Sequence, residues 1–295
     1  MLADSVIAAP DVNGLFLSER VIYIPGAYQP QDEFQALDLT PSDADIATSS
    51  PSTLIPLSDL WFTPRSRDAA RMDILRRYGS GMSTTRVMEV TGSVWFICFN
   101  RLEKITPGVF EDWMRILERT TASGAVLVLM AESEEAQIQL EKNALSFGVL
   151  GERRLVFLQR MPKRDYLLAL AASDLFLDTY NYDAHTTASD AMYGSLPVLT
   201  RPGKTISSRV ASSLNAAIGL SMMTVESRKI YVDTAVTLVE KKRDLLLHIR
   251  LHIQNSIGRD IFNSTRFSSK LEVVYRVTTE LHPSNRHVFF METLL

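Results

Sequence analysis

The segment 183–190 carries the densest chemical signal in this sequence. Asp183-Ala184-His185-Thr186-Thr187 follows the apolar run LFLDT and opens a stretch with helical spacing, with Asp190 one turn later. A helix N-terminus offers unpaired backbone N–H groups and a partial positive charge, which together suit an anion. Two hydroxyls and an imidazole placed there would complete a diphosphate cradle, with Asp190 within reach of a ribose hydroxyl. The competing reading makes Thr186 or Thr187 a simple N-cap and Asp190 a support for the first turn. Three other stretches could contribute. Phe99-Asn100-Arg101-Leu102-Glu103-Lys104 places cations after another apolar run. Pro162-Lys163 with Tyr166 supplies an aromatic face for a base and an ammonium for a ribose. Arg201-Pro202-Gly203-Lys204, with Ser207, Ser208 and Arg209 behind it, reads as a turn into a capped helix. Taken singly, each of these is also what an ordinary solvated loop looks like.

The elements between these stretches give them a common geometry. Val94–Phe99, Ala125–Met130, Leu155–Leu158, Leu175–Thr179 and Pro197–Thr200 are short apolar runs of buried-strand length. Helical patterns separate them. One is Pro107–Thr120, with Phe110, Trp113, Ile116 and Leu117 at i, i+3, i+4 spacing; the others are Glu132–Phe147, Arg164–Ala172, Thr187–Tyr193 and Ser208–Leu214. Alternating strands and helices predict βαβ units and a parallel sheet covered on both faces, a doubly wound Rossmann-like α/β domain. In such sheets ligands lie beyond the C-terminal strand ends. All four chemical stretches follow predicted strands, so they fall on one edge of one sheet. Upstream, RVIYIP (Arg20–Pro25) reads as a strand, Thr40–Thr63 as a Ser/Thr/Pro-rich linker and Arg65–Tyr78 as a helix. Val225–Leu281 reads as almost wholly helical.

Composition narrows the function further. A net charge of -3, with no basic block, argues against a nucleic-acid partner. The single cysteine, Cys98, lies in an apolar run, so neither a disulfide framework nor a paired-cysteine metal site is available. No run approaches the roughly 18 apolar residues of a membrane span, and the N-terminus lacks a basic signal region. The expectation is a cytoplasmic or nuclear protein. GxGxxG, GxxxxGK[ST], HExxH and GxSxG are absent. A bound nucleotide therefore needs a different phosphate cradle.

These stretches, in this order, resemble the catalytic region of protein O-GlcNAc transferases. The resemblance runs through FNRLEKITPGVFEDWMRIL, GERRLVFLQRMPKRDYL and ASDLFLDTYNYDAHTTASDAMYGSLPVLTRPGKTISSRVASSL, then weakly through IFNSTRFSSKLEVVY. The HTT-x-x-D and PG-x-x-x-x-SRVA-S combination is closer to that branch than to SPINDLY-type O-fucosyltransferases. The resemblance implies a GT-B fold, a UDP-GlcNAc donor, protein Ser/Thr acceptors, and an inverting transfer without metal or other cofactor. It implies that Lys104 stabilises the departing diphosphate and that His185 sits at the phosphate–sugar junction. Thr186 and Thr187 would then donate to phosphate, and Lys163 and Asp190 would contact the ribose. Backbone atoms around Met161 would read the uracil edge. Without a divalent ion, a fixed positive group must meet the charge that grows on UDP.

The sequence departs from the family pattern at several places. Arg101 stands where the family has Gln, Glu103 where it has Tyr, Tyr166 where it has His, and Ala169 where it has Arg. Arg101 retains a guanidinium suited to phosphate oxygens, and Tyr166 retains an aromatic face. Residues 1–63 are expected to be a remnant of the N-terminal lobe plus linker, and 64–295 the UDP-sugar-binding lobe with terminal helices. The resemblance places the acceptor-activating residues and the TPR array upstream of this chain. The alternative reading is therefore a non-catalytic nucleotide-sugar-binding or protein-interaction module built on the same fold.

Overall fold

A computed structural model describes residues 2–8, 21–24, 26–27, 64–79, 81–131, 133–280 and 288–289. In chain order the elements are β1 (Leu2–Ala3), β2 (Ile22–Tyr23), α1 (Pro64–Tyr78), α2 (Thr84–Thr91), β3 (Trp95–Cys98), α3 (Pro107–Arg119) and β4 (Val126–Met130). Next come α4 (Glu134–Leu145), α5 (Gly151–Arg154), β5 (Leu155–Leu158), α6 (Lys163–Ala172), β6 (Leu175–Leu177), α7 (Thr186–Tyr193) and β7 (Val198–Leu199). The chain continues through α8 (Val210–Ala217), α9 (Arg228–Glu240), α10 (Arg243–Asp260), α11 (Ser264–Glu280) and β8 (Val288–Phe289).

Each of the five apolar runs forms a strand, and all pair in parallel in the order β5-β4-β3-β6-β7. Every residue of β3, β5, β6 and β7 is buried, as a sheet covered on both faces requires. The chain enters this sheet at β3 and builds outward through β4 and β5, then returns beside β3 as β6. The connections after β3 and β6 therefore leave toward opposite faces and open a crevice between them. α3 forms where expected. Thr106 accepts a hydrogen bond from Val109 N, Pro107 occupies the first turn, and Phe110, Trp113, Ile116 and Leu117 face the core.

Some boundaries differ from the expectation. α2 is a two-turn helix outside the predicted elements, burying Val87, Val90 and Thr91 at i, i+3, i+4, and Ser83 caps it by accepting from Arg86 N. α7 starts one residue earlier than predicted, at Thr186. α8 starts at Val210 because Ile206–Ser208 forms a 3-10 turn closed by reciprocal Thr205 and Ser208 contacts. The Thr40–Thr63 linker lies outside the described residues.

The described residues near the N-terminus dock on the sheet domain. β1, β2 and β8 form a separate small parallel sheet, and Ala3, Ile7, Ala8, Val21 and Tyr23 pack with Val210 of α8. Asp4 accepts hydrogen bonds from Val6 N, Ile7 N and the Ser213 hydroxyl, while Arg209 donates to the Val6 carbonyl. Two further networks fix the site. Asp112 of α3, fully buried, accepts from Tyr180 and from Arg228 at the start of α9. Tyr231 of α9 accepts from the Trp113 indole and donates at 3.0 Å to the carbonyl of Asp178, directly after β6. The strand end that carries the chemistry is thus held from beneath by two helices.

Candidate nucleotide-sugar site

The crevice beside β3 and β6 brings together the stretches that are far apart in sequence. After β3 the chain makes a 3-10 turn at Leu102–Lys104. The half-buried Lys104 ammonium donates at 2.9 Å to the carbonyl of Asp183 and lies 4.1 Å from the centre of the Tyr182 ring. Partial burial lowers its pKa, and the carboxylates of Asp178 and Asp183 oppose that shift. Lys104 is therefore a cation already partly stripped of water and fixed against the loop that leads into α7.

α7 starts without a side-chain cap. His185 occupies the cap position and makes no cap hydrogen bond. Thr186 and Thr187 are the first helical residues, which rules out the reading of either one as the N-cap. The first protein-satisfied amides of the helix are those of Ala188 and Ser189, which bond to the His185 carbonyl. The helix end thus presents its leading N–H groups at the crevice. His185 stacks on Tyr182 at 4.8 Å between ring centres, and its Nε2 donates to the Ser207 carbonyl at 3.1 Å. Gly203 makes this loop arrangement possible, since a Cβ there would sit 2.4 Å from the Ser208 hydroxyl.

Lys163 and Asp190, both expected at the ribose, pair with each other at 2.6 Å. The Tyr166 hydroxyl bonds to Asp190, and its ring packs on Phe99 at 5.3 Å with the Lys163 ammonium 5.5 Å from its centre. Burial, with Asp190 second, holds the Tyr166 phenol well above its usual range, so it is a neutral donor. Met161 is partly buried against the core just before α6. Arg101 and Glu103 are exposed at the crevice rim, and the charge of Arg101 helps lower the pKa of Lys104. Ala169 is fully buried in the core.

Beneath Lys104 lies a polar hub that the sequence did not single out. Asp178 accepts from Thr179 N, Ala184 N, the Asn100 amide and the Thr200 hydroxyl. The only signals for it were an acidic residue closing LFLDT and an Asn directly after VWFICF. Burial first, then repulsion from Asp183, pushes the Asp178 carboxyl up to about 7. An acid raised in the folded state binds more protons folded than unfolded between about pH 4 and that value. Stability is therefore expected to fall as pH rises through this window. In Asp178→Asn, denaturant midpoints at pH 5 and pH 8 should lie closer together than in the parent; an unchanged gap would place the titrating group elsewhere.

A doubly wound parallel sheet whose switch point holds a lysine, an imidazole and an uncapped helix start has the build of a GT-B nucleotide-sugar lobe. Residues 82–271 match the family described as Glycosyl transferase family 41, and the chain belongs to that family. Among curated relatives, the chain is 29% identical over 192 residues to a probable UDP-N-acetylglucosamine–peptide N-acetylglucosaminyltransferase of Arabidopsis thaliana, covering 65% of this chain and 19% of that protein. It is 31% identical over 146 residues to the UDP-N-acetylglucosamine–peptide N-acetylglucosaminyltransferase of Caenorhabditis elegans, covering 50% of this chain and 12% of that one. A solved Thermobaculum terrenum O-GlcNAc transferase mutant superposes with a TM-score of 0.67 at 25% identity, over 94% of this chain and 44% of that chain. The chain thus spans a fifth or less of the curated relatives and under half of the solved one. Among the described residues no helix is long and apolar enough to cross a membrane.

Proposed function

We propose that this chain is the donor lobe of a UDP-GlcNAc-dependent protein O-glycosyltransferase, transferring GlcNAc with inversion to Ser or Thr hydroxyls of proteins. One observation carries the reading: the uncapped start of α7 faces the same crevice as the half-desolvated Lys104, which is bonded to the loop leading into that helix. Two phosphates need what converges here, a compact cation and free amides at a helix start. Departure of UDP concentrates negative charge on the diphosphate. Groups already desolvated and fixed stabilise that charge without reorganising, so the lobe needs no divalent ion. His185 supplies a further donor beside the sugar, and the Lys163–Asp190 pair contacts the ribose. The imidazole at position 185 favours the O-GlcNAc branch over the O-fucose one. Cys98 is buried and its thiol pushed well upward, so it is no nucleophile, and a single unpaired cysteine suits a reducing, nucleocytoplasmic compartment.

Calorimetric titration of the purified chain with UDP and UDP-GlcNAc tests the reading. Saturable binding is expected, and a Lys104→Ala, Thr187→Ala double variant should lose it. A well-folded parent that binds neither ligand would overturn the proposal. The ribose assignment has its own test. Lys163→Ala should weaken UDP roughly tenfold, as loss of one charge-assisted hydrogen bond of about 1.5 kcal/mol requires. Inorganic diphosphate should bind the variant as it binds the parent. Equal losses for both ligands would move Lys163 to the phosphates.

A further inference from the structure

The site contains a buried carboxylate that the donor contacts do not use. Asp183 is fully buried. Its Oδ2 accepts from Ala211 N at the start of α8, 2.9 Å away. Its Oδ1 has no hydrogen-bond donor among the described residues, yet lies 3.4 Å from His185 Nε2. The same Nε2 lies 3.1 Å from the Ser207 carbonyl. A carbonyl oxygen and a carboxylate oxygen are both acceptors only, so the nitrogen between them must carry a proton. That leaves Nδ1 as the remaining polar atom of a ring that is partly open to solvent.

We propose that Asp183 is the positioning residue for His185. With the Ser207 carbonyl it fixes the Nε2–H form and turns Nδ1 toward the donor, where a second proton makes the ring a cationic hydrogen-bond donor to the phosphate–sugar junction. The inference rests on the donor-site reading above. Asp183 touches no substrate and acts through the ring alone, by the logic of a carboxylate–imidazole pair in which the carboxylate sets tautomer and orientation.

The charged and titratable groups around the ring come from three elements. Asp183 and the stacked Tyr182 belong to the loop after β6, Lys104 comes from the loop after β3, and the Ser207 carbonyl comes from the turn before α8. Asp178, at the end of β6, acts on the ring through its repulsion with Asp183. Burial alone would lower the pKa of His185. The Asp183 carboxylate 3.4 Å away and the Ser207 carbonyl outweigh burial and the opposing charge of Lys104, and the net shift is upward. Burial raises the Asp183 carboxyl, and although His185, the Ala211 amide and Lys104 oppose it, the net shift stays upward.

Nitrogen-15 spectra of the ring in the unliganded chain provide the test, with His185→Gln identifying the signal. The parent should show the Nε2–H tautomer when neutral, and a neutral Nδ1–H form would overturn the proposal without any Asp183 variant being needed. Asp183→Asn keeps the size and an acceptor for Ala211 N–H but removes the charge. Its His185 midpoint should fall by about one pH unit, a tenfold loss in proton affinity; an unmoved midpoint in the folded variant overturns the proposal. UDP is then titrated from pH 6 to pH 8.5. The pH above which affinity declines should move down in Asp183→Asn, whereas a uniform loss at every pH would show packing support only and defeat the inference. If the parent binds no UDP, the donor-site reading falls, and the ring spectra still decide the role of Asp183.

Discussion

Lys104→Ala should lower UDP affinity on the order of a hundredfold, about 3 kcal/mol, while leaving the fold intact. Its ammonium has already lost part of its hydration and is oriented by the Asp183 carbonyl at 2.9 Å. Little is left for the nucleotide to displace or order, so most of the attraction to the diphosphate appears as binding. The side chain is only half-buried and lies at the rim of the core, so its truncation leaves the packing of β3 untouched. If turnover is measured as UDP release from UDP-GlcNAc, the loss should reach about 10²–10³-fold, as expected when one preorganised donor is removed from a developing anion. Calorimetry gives the first number and a coupled UDP assay the second. UDP affinity within a factor of two of the parent would mean that the diphosphate lies elsewhere, and the site assignment would fall.

The largest effect on stability should come from Asp174→Ala, about 3–5 kcal/mol. Asp174 precedes β6. It accepts from Arg67 and Arg71 of α1 and from the backbone N–H of Trp95 in β3. Arg71 is 3% exposed and also donates to the carbonyls of Ala172 and Ser93. Removing the carboxylate strands a buried guanidinium and frees an amide at the start of the central strand. Burial would raise the Asp174 carboxyl, but the two arginines and the Trp95 amide outweigh it and the net shift is downward. A depressed acid contributes stability above its unfolded pKa, near 4, and loses it as pH falls through the lower folded value. The variant should therefore be weaker at pH 7 by the full amount, and the gap to the parent should narrow on acidification below about pH 4. Urea titrations at both pH values measure this, and a gap independent of pH would assign the loss to packing rather than charge.

Much of the sheet could be read before the structure. Runs such as Val94–Phe99 and Ala125–Met130 are apolar throughout because a parallel strand covered on both faces has no solvent side, and that pattern is local. The placement of Lys104, His185, Thr186 and Thr187 at strand ends followed from the same alternation. α2 and α5 escaped because a period read over only one or two turns, such as Val87, Val90 and Thr91 in α2, is too short to stand out from chance. The hub around Asp178 escaped because its partners, Asn100, Thr179, Thr200 and Ala184, come from three separate connections, and an isolated Asp at a strand end looks like any surface carboxylate.

By itself the sequence determined which segments form the five strands of the main sheet, which edge of that sheet carries the polar chemistry, and the family resemblance carried by its motifs; the short strands β1 and β8 escaped it. The tertiary structure decided what those residues do to one another. Strand order set β6 beside β3, bringing Lys104 against the Asp183 carbonyl across 79 residues of chain. Packing of α6 against α7 paired Lys163 with Asp190, and the turn before α8 brought the Ser207 carbonyl to His185. Periodicity records whether a residue faces core or solvent, a property of its immediate neighbours. Which carboxylate meets which cation depends on contacts between elements distant in sequence, and these exist only once the sheet has closed its order.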